Sequence, residues 1–321
     1  MNTTGIIILN YNNFEDTINC IQSVEAHNTA PIKFIIIDNG STRTAAVKEI
    51  EKFCRNNYQS KFLCIDSLNN LKLTLPYITL FVNPINEGYA RGNNKGLELA
   101  YQDEEISNIL ILNNDVLFVE DIIPKLSSHY EHLKDVAILS PILYKKGLKE
   151  IDYNCARKNI RPWTEIGNNF LHYILKLLKL PKFGRNRYIL KKQKPLNTLL
   201  PIELPSGSCM YINKKFFQEI GSFDPNTFLY WEENILFKKV EKIHKKNYLC
   251  TDLRCIHLGA SSTASSPSLF IIDCNLQSSR YYMKAYSGCF FVTIWIHYFS
   301  TIFYRYTFIL QKNIQHIINK K

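Results

Sequence analysis

Short runs of β-branched and aliphatic residues alternate with amphipathic stretches through the first half of the chain. GIIILN, IKFIIIDN, ITLFVN and ILILNND are apolar at nearly every position. Between and after them, residues 14–26, 44–56, 89–101 and 121–132 carry apolar side chains at helical spacing. Strands without polar alternation are buried on both faces, which predicts an α/β unit with a mainly parallel central sheet over residues 5–141. Ligands of such sheets bind beyond the carboxyl ends of the strands. Those ends read LNYNN, IIDNGS, FVNPINEGYARGNN and LNNDV, rich in Asn, Asp and Gly. Any single one fits a turn or a helix cap. Four at one sheet edge make Asp38 and Asp115 candidate functional acids.

The pattern changes at residues 144–201, where Lys and Arg are interspersed among aliphatics and aromatics, as in NNFLHYILKLLKLPKFGRNRYILKKQKP. A basic amphipathic stretch fits a surface lying on anionic lipid, and it equally fits a solvated helix over the core. PIELPSGSCMYINKKFFQEIGSFD then predicts a strand, a short helix and a turn. Beyond residue 280 the chain is aromatic and basic, and its uncharged segment 287–304 approaches the length of a membrane span. It contains His297 and several hydroxyls, with Arg and Lys on both flanks, and is read as a helix pair docked at an interface instead of a span.

A chain of 321 residues, 46% hydrophobic, suits one large domain or a domain with an appendage. Aromatic residues at 13% exceed what a core needs and suggest binding surfaces. A formal net charge of +11 favours an anionic partner, whether nucleic acid, acidic membrane leaflet or phosphorylated small molecule. The basic residues cluster with long aliphatics instead of lying on a reading element, which argues against nucleic acid. Nine scattered cysteines without a CxxC pair read as reduced, buried thiols. Cys250, Cys255 and His257 lack a second ligand pair at zinc-site spacing. The N-terminus has a four-residue apolar run and no basic region, so neither a signal peptide nor an N-terminal anchor is read, and a cytosolic location is expected.

GSFDPNTFLYWEENILFKK sets Glu232 and Glu233 directly behind Phe228, Tyr230 and Trp231, where a helix is predicted to begin. The helix N-terminus alone would favour the two acids. It does not explain Tyr230 and Trp231, which suit a carboxylate base desolvated by aromatic walls.

Taken in order, ILNYNN, IIDNGS, NEGYARGNNKG, ILNNDV, SGSCMYINKKFFQEIGSFDPNTFLYWEEN and IHLGASS resemble family 2 glycosyltransferases of the rhamnosyltransferase-like branch, which build bacterial surface polysaccharides. The resemblance runs over residues 5–262. It implies a GT-A fold, meaning a Rossmann-like nucleotide-diphospho-sugar transferase with a mixed, mainly parallel sheet. It also implies a nucleotide-diphospho-sugar donor, a divalent metal (Mn²⁺ or Mg²⁺) and inversion at the anomeric carbon. A GT-A catalytic domain is expected at residues 1–265, carrying the basic insertion at about 144–201, with a helical, membrane-proximal extension at 266–321.

The same resemblance distributes roles. Asp115 stands where the family keeps the last acid of its DxD-like motif, and Asn113 and Asn114 stand where relatives carry more acid. Metal is therefore expected on Asp115, the diphosphate and water, with His257 completing the site or touching the diphosphate. Asp38 resembles the acid that contacts the base or ribose, and the backbone around Leu9 and Asn10 would line the base pocket. Gly88, Gly92 and Asn94 belong to NEGYARGNNKG on the donor side, where the glycines permit close backbone approach at a helix start. Arg91 would reach a phosphate, although a solvent-facing helical Arg fits the same letter. Asn114 joins the donor-binding set. The acids correspond to a family pair whose second member is the base, making Glu233 the base and Glu232 its alternative; Ile235 replaces an acid that many relatives carry. Ser208, in a Ser206–Gly207–Ser208 segment that a buried tight turn would also explain, joins Tyr230 and Trp231 on the acceptor side.

The expectation is a membrane-associated enzyme at the inner face of the cell membrane. It would transfer sugar from dTDP-rhamnose or a UDP-sugar to a lipid-linked or oligosaccharide acceptor in O-antigen, capsule or lipopolysaccharide synthesis. A homodimer is compatible with the sequence. The alternatives are a nucleotidyltransferase, against which the missing lysine-rich glycine loop counts, and a non-catalytic sugar- or nucleotide-binding protein at the membrane.

Overall fold

A computed structural model of the chain describes residues 3–68, 74–184, 187–191, 197–259 and 268–318. The apolar runs of the first half form strands because β-branched side chains pack well on both faces of a pleated sheet. In chain order these are β1 (Thr3–Asn10), α1 (Phe14–His27), β2 (Ile32–Asn39), α2 (Thr44–Tyr58), β3 (Phe62–Ile65), β4 (Ile78–Asn83), α3 (Gly88–Gln102) and β5 (Ile106–Asn113). Then come β6 (Val116–Phe118), α4 (Ile123–His132), β7 (Val136–Tyr144), β8 (Ala156–Arg157), α5 (Pro162–Leu177), β9 (Leu199–Ile202) and β10 (Leu204–Pro205). The chain continues through β11 (Cys209–Asn213), α6 (Lys214–Glu219), α7 (Glu232–Lys242), β12 (Lys246–His257), α8 (Leu269–Ala285) and α9 (Phe291–Ile318).

Ten strands make one sheet in the order β3-β4-β2-β1-β5-β11-β7-β12-β6, with β9 pairing β12 off this path. The first five strands are parallel, β11 runs antiparallel between β5 and β7, and β6 and β9 are antiparallel to β12. The fold is GT-A, as expected, but the sheet is wider than the sequence predicts. Strands β3 (FLCI) and β6 (VLF) are apolar but only four and three residues long, and β12 mixes polar and apolar letters, so none of the three makes a clear run. Register brings the polar strand ends level: Asn10 lies beside Asp38, Leu9 beside Asn113 and Asn39 beside Asn83.

The expected boundary near residue 265 falls at 260–267, outside the described residues, as do Ala260–Ser262 of the IHLGASS segment and positions 185–186 and 192–196 of the basic stretch. Helices α8 and α9 are not an appendage hanging from the domain. Helix α9 packs along both α5 and α8, so the basic insertion and the C-terminal extension form one layer. Among the described residues no helix is long and apolar enough to cross a membrane.

Candidate active site

Strand pairing assembles the metal-side residues. β6 and β12 are antiparallel with His257 opposite Val116, which places the imidazole beside Asp115 in the β5–β6 turn. His257 Nε2 lies 3.5 Å from Asp115 Oδ2 and 3.3 Å from Ser208 Oγ, and Nδ1 lies 2.9 Å from Asp152 Oδ2. Burial alone would push the imidazole down, but Asp115 and Asp152 outweigh it and raise its pKa to about 9. Burial works against the Asp152 carboxylate, yet the bonds from His257 and Asn154 hold it below its ordinary value.

The donor chemistry fits a divalent cation. An oxygen and an imidazole nitrogen at this spacing can share one ion once the ion displaces the Nε2 proton, and a carboxylate behind the other ring nitrogen is the usual way such a histidine is oriented. Among the described residues no group of three or more His, Cys, Asp or Glu side chains could hold a metal. Diphosphate oxygens and water would have to supply the remaining ligands.

The strand-end polar residues form a connected string. Asn10 Nδ2 donates to Asp38 Oδ1 at 2.7 Å, Thr17 Oγ1 donates to Asn10 Oδ1 at 2.9 Å, and Asn114 Nδ2 donates to Thr17 Oγ1 at 3.1 Å. Asp38 also accepts from Ser41 Oγ at 2.6 Å and Ser41 N at 3.1 Å, and it is 0% exposed. As placed, this carboxylate fixes the ends of β1 and β2 and presents no surface to a base or ribose, unlike the role that resemblance implies. Leu9, half-buried, meets α3 where Gly92 has no side chain; a Cβ there would stand 2.6 Å from Leu9 Cδ1.

Residues at the start of α3 have a use the sequence did not disclose. Gly88 has φ +83°, and a Cβ on it would stand 2.2 Å from the Phe228 carbonyl oxygen, which accepts from Tyr89 N at 2.8 Å. Arg91 Nε donates to Pro225 O at 2.8 Å. Both ends of the Asn94 amide are taken by Phe223, with Nδ2 donating to its carbonyl and Oδ1 accepting from its N–H. Arg91 and Asn94, expected against the donor, hold the 223–228 segment in place.

That segment leads into the acids. Tyr230 and Trp231 adopt φ of 71° and 73°, two successive left-handed residues with large side chains. Each such conformation costs on the order of 1–3 kcal/mol and persists only where the surroundings over-determine it. Helix α8 does so: Trp231 Nε1 donates to Asn275 Oδ1 at 2.8 Å, the indole stacks on Tyr282, and Ser278 Oγ donates to Leu229 O at 3.0 Å. Asp224 ties the same segment to α8 by accepting from Tyr281 Oη and Tyr286 Oη.

The strained pair opens α7 with two carboxylates in unlike surroundings. Glu232 is 6% exposed and its Oε1 has no hydrogen-bond partner among the described residues. Burial first, then the charge of Glu233, pushes its pKa up to about 8. Glu233 lines a cavity of about 370 Å³ together with Tyr230 and Trp231. Its Oε1 accepts from Gly207 N at 3.0 Å and pairs with Arg157 Nη2 at 3.1 Å. Gly207 also accepts from Tyr89 Oη through its carbonyl at 2.7 Å. The 206–208 turn thus faces His257 through Ser208 and Glu233 through Gly207.

Asp152, Arg157, Asn275 and Ser278 were missed by sequence reasoning. Asp152 begins a short turn and Arg157 lies in a two-residue strand, neither with a pattern to mark it. The α8 residues carried a signal only as a polar stripe within an aromatic helix.

The sheet is of the GT-A kind, with an acid in the β5–β6 turn and a histidine beside it at the carboxyl ends of the strands, where ligands of open α/β sheets bind. The chain belongs to glycosyl transferase family 2, whose pattern matches residues 5–221. That match ends before the carboxylate pair and His257. The low-salt glycan biosynthesis hexosyltransferase Agl10 of Haloferax volcanii is 26% identical over 230 residues, which is 71% of this chain and 58% of that protein. The chain therefore spans less than two thirds of that relative. The crystal structure of GalNAc-T7 with UDP, GalNAc and Mn²⁺ matches with a TM-score of 0.58 at 14% identity, covering 88% of this chain and 48% of that one. The mannosyltransferase PcManGT from Pyrobaculum calidifontis, in complex with GDP-Man and Mn²⁺, matches with a TM-score of 0.53 at 9% identity, covering 92% of this chain and 69% of that one.

Proposed function

We propose that this protein is an inverting, metal-dependent glycosyltransferase that moves a sugar from a nucleotide-diphosphate donor to a glycan acceptor at a membrane surface. The observation that carries the reading is the 206–208 turn, which sets a cavity-lining carboxylate on one side and the Asp115–His257 pair on the other. The acceptor hydroxyl oxygen attacks the anomeric carbon, its proton passes to Glu233, and the bond to the diphosphate breaks with the electron pair leaving on the diphosphate. Gly207 N–H and Arg157 hold Oε1, and Oε2 has no hydrogen bond among the described residues. Glu232 does not line the cavity, which favours Glu233 as the base. Mn²⁺ or Mg²⁺ held by Asp115 and His257 would supply positive charge to the departing diphosphate.

The membrane part rests on α9, which is inside out. His297, Ser300 and Thr301 are buried, and Ser279 Oγ, Asn169 Nδ2 and Arg280 Nε meet them from α8 and α5. Phe291, Trp295, Phe299, Ile302 and Tyr306 are exposed. A helix that buries its polar stripe and exposes its apolar face suits an apolar solvent, and Lys and Arg on α5 and the following loop suit anionic headgroups. Branch resemblance favours dTDP-rhamnose or a UDP-sugar and a role in surface glycan synthesis such as O-antigen, capsule or lipopolysaccharide.

The test is donor consumption with Mn²⁺ or Mg²⁺ across dTDP-, UDP- and GDP-sugars, using a lipid extract as acceptor source. One donor should be consumed only with metal, and Glu233→Gln should abolish transfer while nucleotide still binds. Normal transfer by Glu233→Gln would pass the base to Glu232. Nucleotide binding without turnover in any form, with the acceptor supplied, would make the protein a non-catalytic binder.

A further inference from the structure

The cavity beside Glu233 does not end at the acids. Its far wall is built by α5 and by the loop that follows it, and it carries Lys182 and Arg187. The loop is fixed: Asn168, buried on α5, accepts from Phe183 N at 2.7 Å and donates to Phe183 O at 3.2 Å. Arg187 is anchored beside β8, where its carbonyl accepts from Lys158 N at 2.8 Å and Tyr188 bridges to Arg157. Among the described residues neither Lys182 nor Arg187 makes an ion pair.

Arg157 lines the same cavity; among the described residues its Nε is buried without a partner, while Nη2 holds Glu233. The other acid on the wall is Glu165, and burial, opposed by Lys182 and Arg187, raises its pKa and favours its neutral form. A neighbouring depression shares Lys182 and adds Lys145, Lys179 and Lys191, the last over the rings of Tyr153 and Tyr188, together with the acids Glu150 and Asp152. Beyond the cavity the outer faces of α5 and α9 are apolar, with Ile174, Leu177, Trp295 and Phe299 exposed.

One cavity thus holds Glu233 and three cations, and α5, which lines it, exposes Ile174 and Leu177. We propose that Lys182, Arg187 and Arg157 form a phosphate-binding subsite on the acceptor side, taking the phosphate or diphosphate that joins an acceptor sugar to a lipid. Arg and Lys are the residues that recognise such groups, Arg by its paired donors. The proposal rests on the glycosyltransferase reading for which side is the acceptor's; the affinity for a lipid-borne phosphate stands apart from it.

The full chain in detergent micelles is titrated with farnesyl diphosphate, farnesol and inorganic diphosphate, and binding is followed by calorimetry. The comparison is with a Lys182→Ala, Arg187→Ala double variant. Farnesyl diphosphate should bind at least about tenfold tighter than farnesol, and the double variant should lose about tenfold or more of that affinity. Lys182 is exposed and Arg187 only half-buried, so the melting temperature should stay, and single Gln substitutions provide a second route if it does not. Saturating UDP or dTDP with Mn²⁺ should leave farnesyl diphosphate bound. Displacement by nucleotide would assign the cations to the donor and overturn the proposal, as would equal binding of farnesol or an unaffected double variant. Inorganic diphosphate binding as tightly as the farnesyl ester would mean a free phosphate and overturn the lipid-borne source. If the glycosyltransferase reading alone is wrong, nucleotides fail to bind and farnesyl diphosphate still does.

Discussion

Glu232→Gln tests the buried carboxyl through stability. The unfolded group ionises near its ordinary value of 4.5, and in the fold burial and Glu233 raise it to about 8. Between those values the native state keeps a proton that the unfolded chain releases. Stability from this group is therefore complete below about 4.5 and is lost as pH rises through about 8. At about 1.36 kcal/mol per pH unit, the native carboxyl costs the protein about 1 kcal/mol at pH 5, about 3 at pH 7 and about 4 at pH 8. Glutamine has nearly the same shape and no charge to bury, so the advantage of the variant over the native protein should grow by about 3 kcal/mol from pH 5 to pH 8. In a chain of this size that is roughly 5 °C in melting temperature. Urea or thermal unfolding of both proteins in matched buffers at four pH values reads the difference directly. A gap that stays constant with pH would mean that Glu232 is ionised in the native state and would refute the reasoning. In a Glu233→Gln background the pH dependence should weaken, because one cause of the raised value is gone.

Three further outcomes are expected. Asp152→Asn should weaken Mn²⁺ binding by about 10–100-fold, measured by titration of the paramagnetic ion, without moving the melting temperature by more than a few degrees; unchanged affinity would remove Asp152 from behind the metal ligand. Gly88→Ala should lower turnover sharply and destabilise by about 2 kcal/mol or more, since both the positive φ and the Phe228 carbonyl oppose a side chain; wild-type kinetics would show that the 223–228 segment need not sit on α3. Asp224→Ala strands the donors of Tyr281, Tyr286 and Asn226 and should cost about 2 kcal/mol in urea unfolding, with a larger proportional fall in turnover. A loss below about 0.5 kcal/mol would mean that α8 clamps the loop without it.

The α/β half could be read from the sequence because its strands are apolar on both faces, and α1 to α4 fell close to the predicted positions. The carboxylate pair was equally legible, since aromatics and acids at a helix start are an uncommon combination. Partners were not legible. Asp38 and Asn94 stood at the expected strand and helix ends, but Ser41 and Phe223, which occupy them, are ordinary loop residues whose approach depends on the fold. The basic stretch left two readings open because an amphipathic helix has the same letters on lipid or on a core. Helix α5 meets α9 on one side and exposes Ile174 and Leu177 on the other. In α9 the histidine and hydroxyls weakened any reading as a span, yet their burial against α8 and α5 follows only from the packing.

The turn at Gly207 and Ser208 acts as a calliper. One jaw is Glu233, the proposed base, and the other is His257 beside Asp115, and they are hydrogen-bonded to consecutive residues whose Cα atoms are about 3.8 Å apart. While both hydrogen bonds hold, the spacing of the two jaws is tied to one peptide unit. On the proposed function, choice among acceptor hydroxyls would then fall to how deep the incoming sugar seats beyond the turn. A one-residue insertion between Gly207 and Ser208 would spread them and should uncouple donor cleavage from transfer, leaving water as the acceptor that still fits.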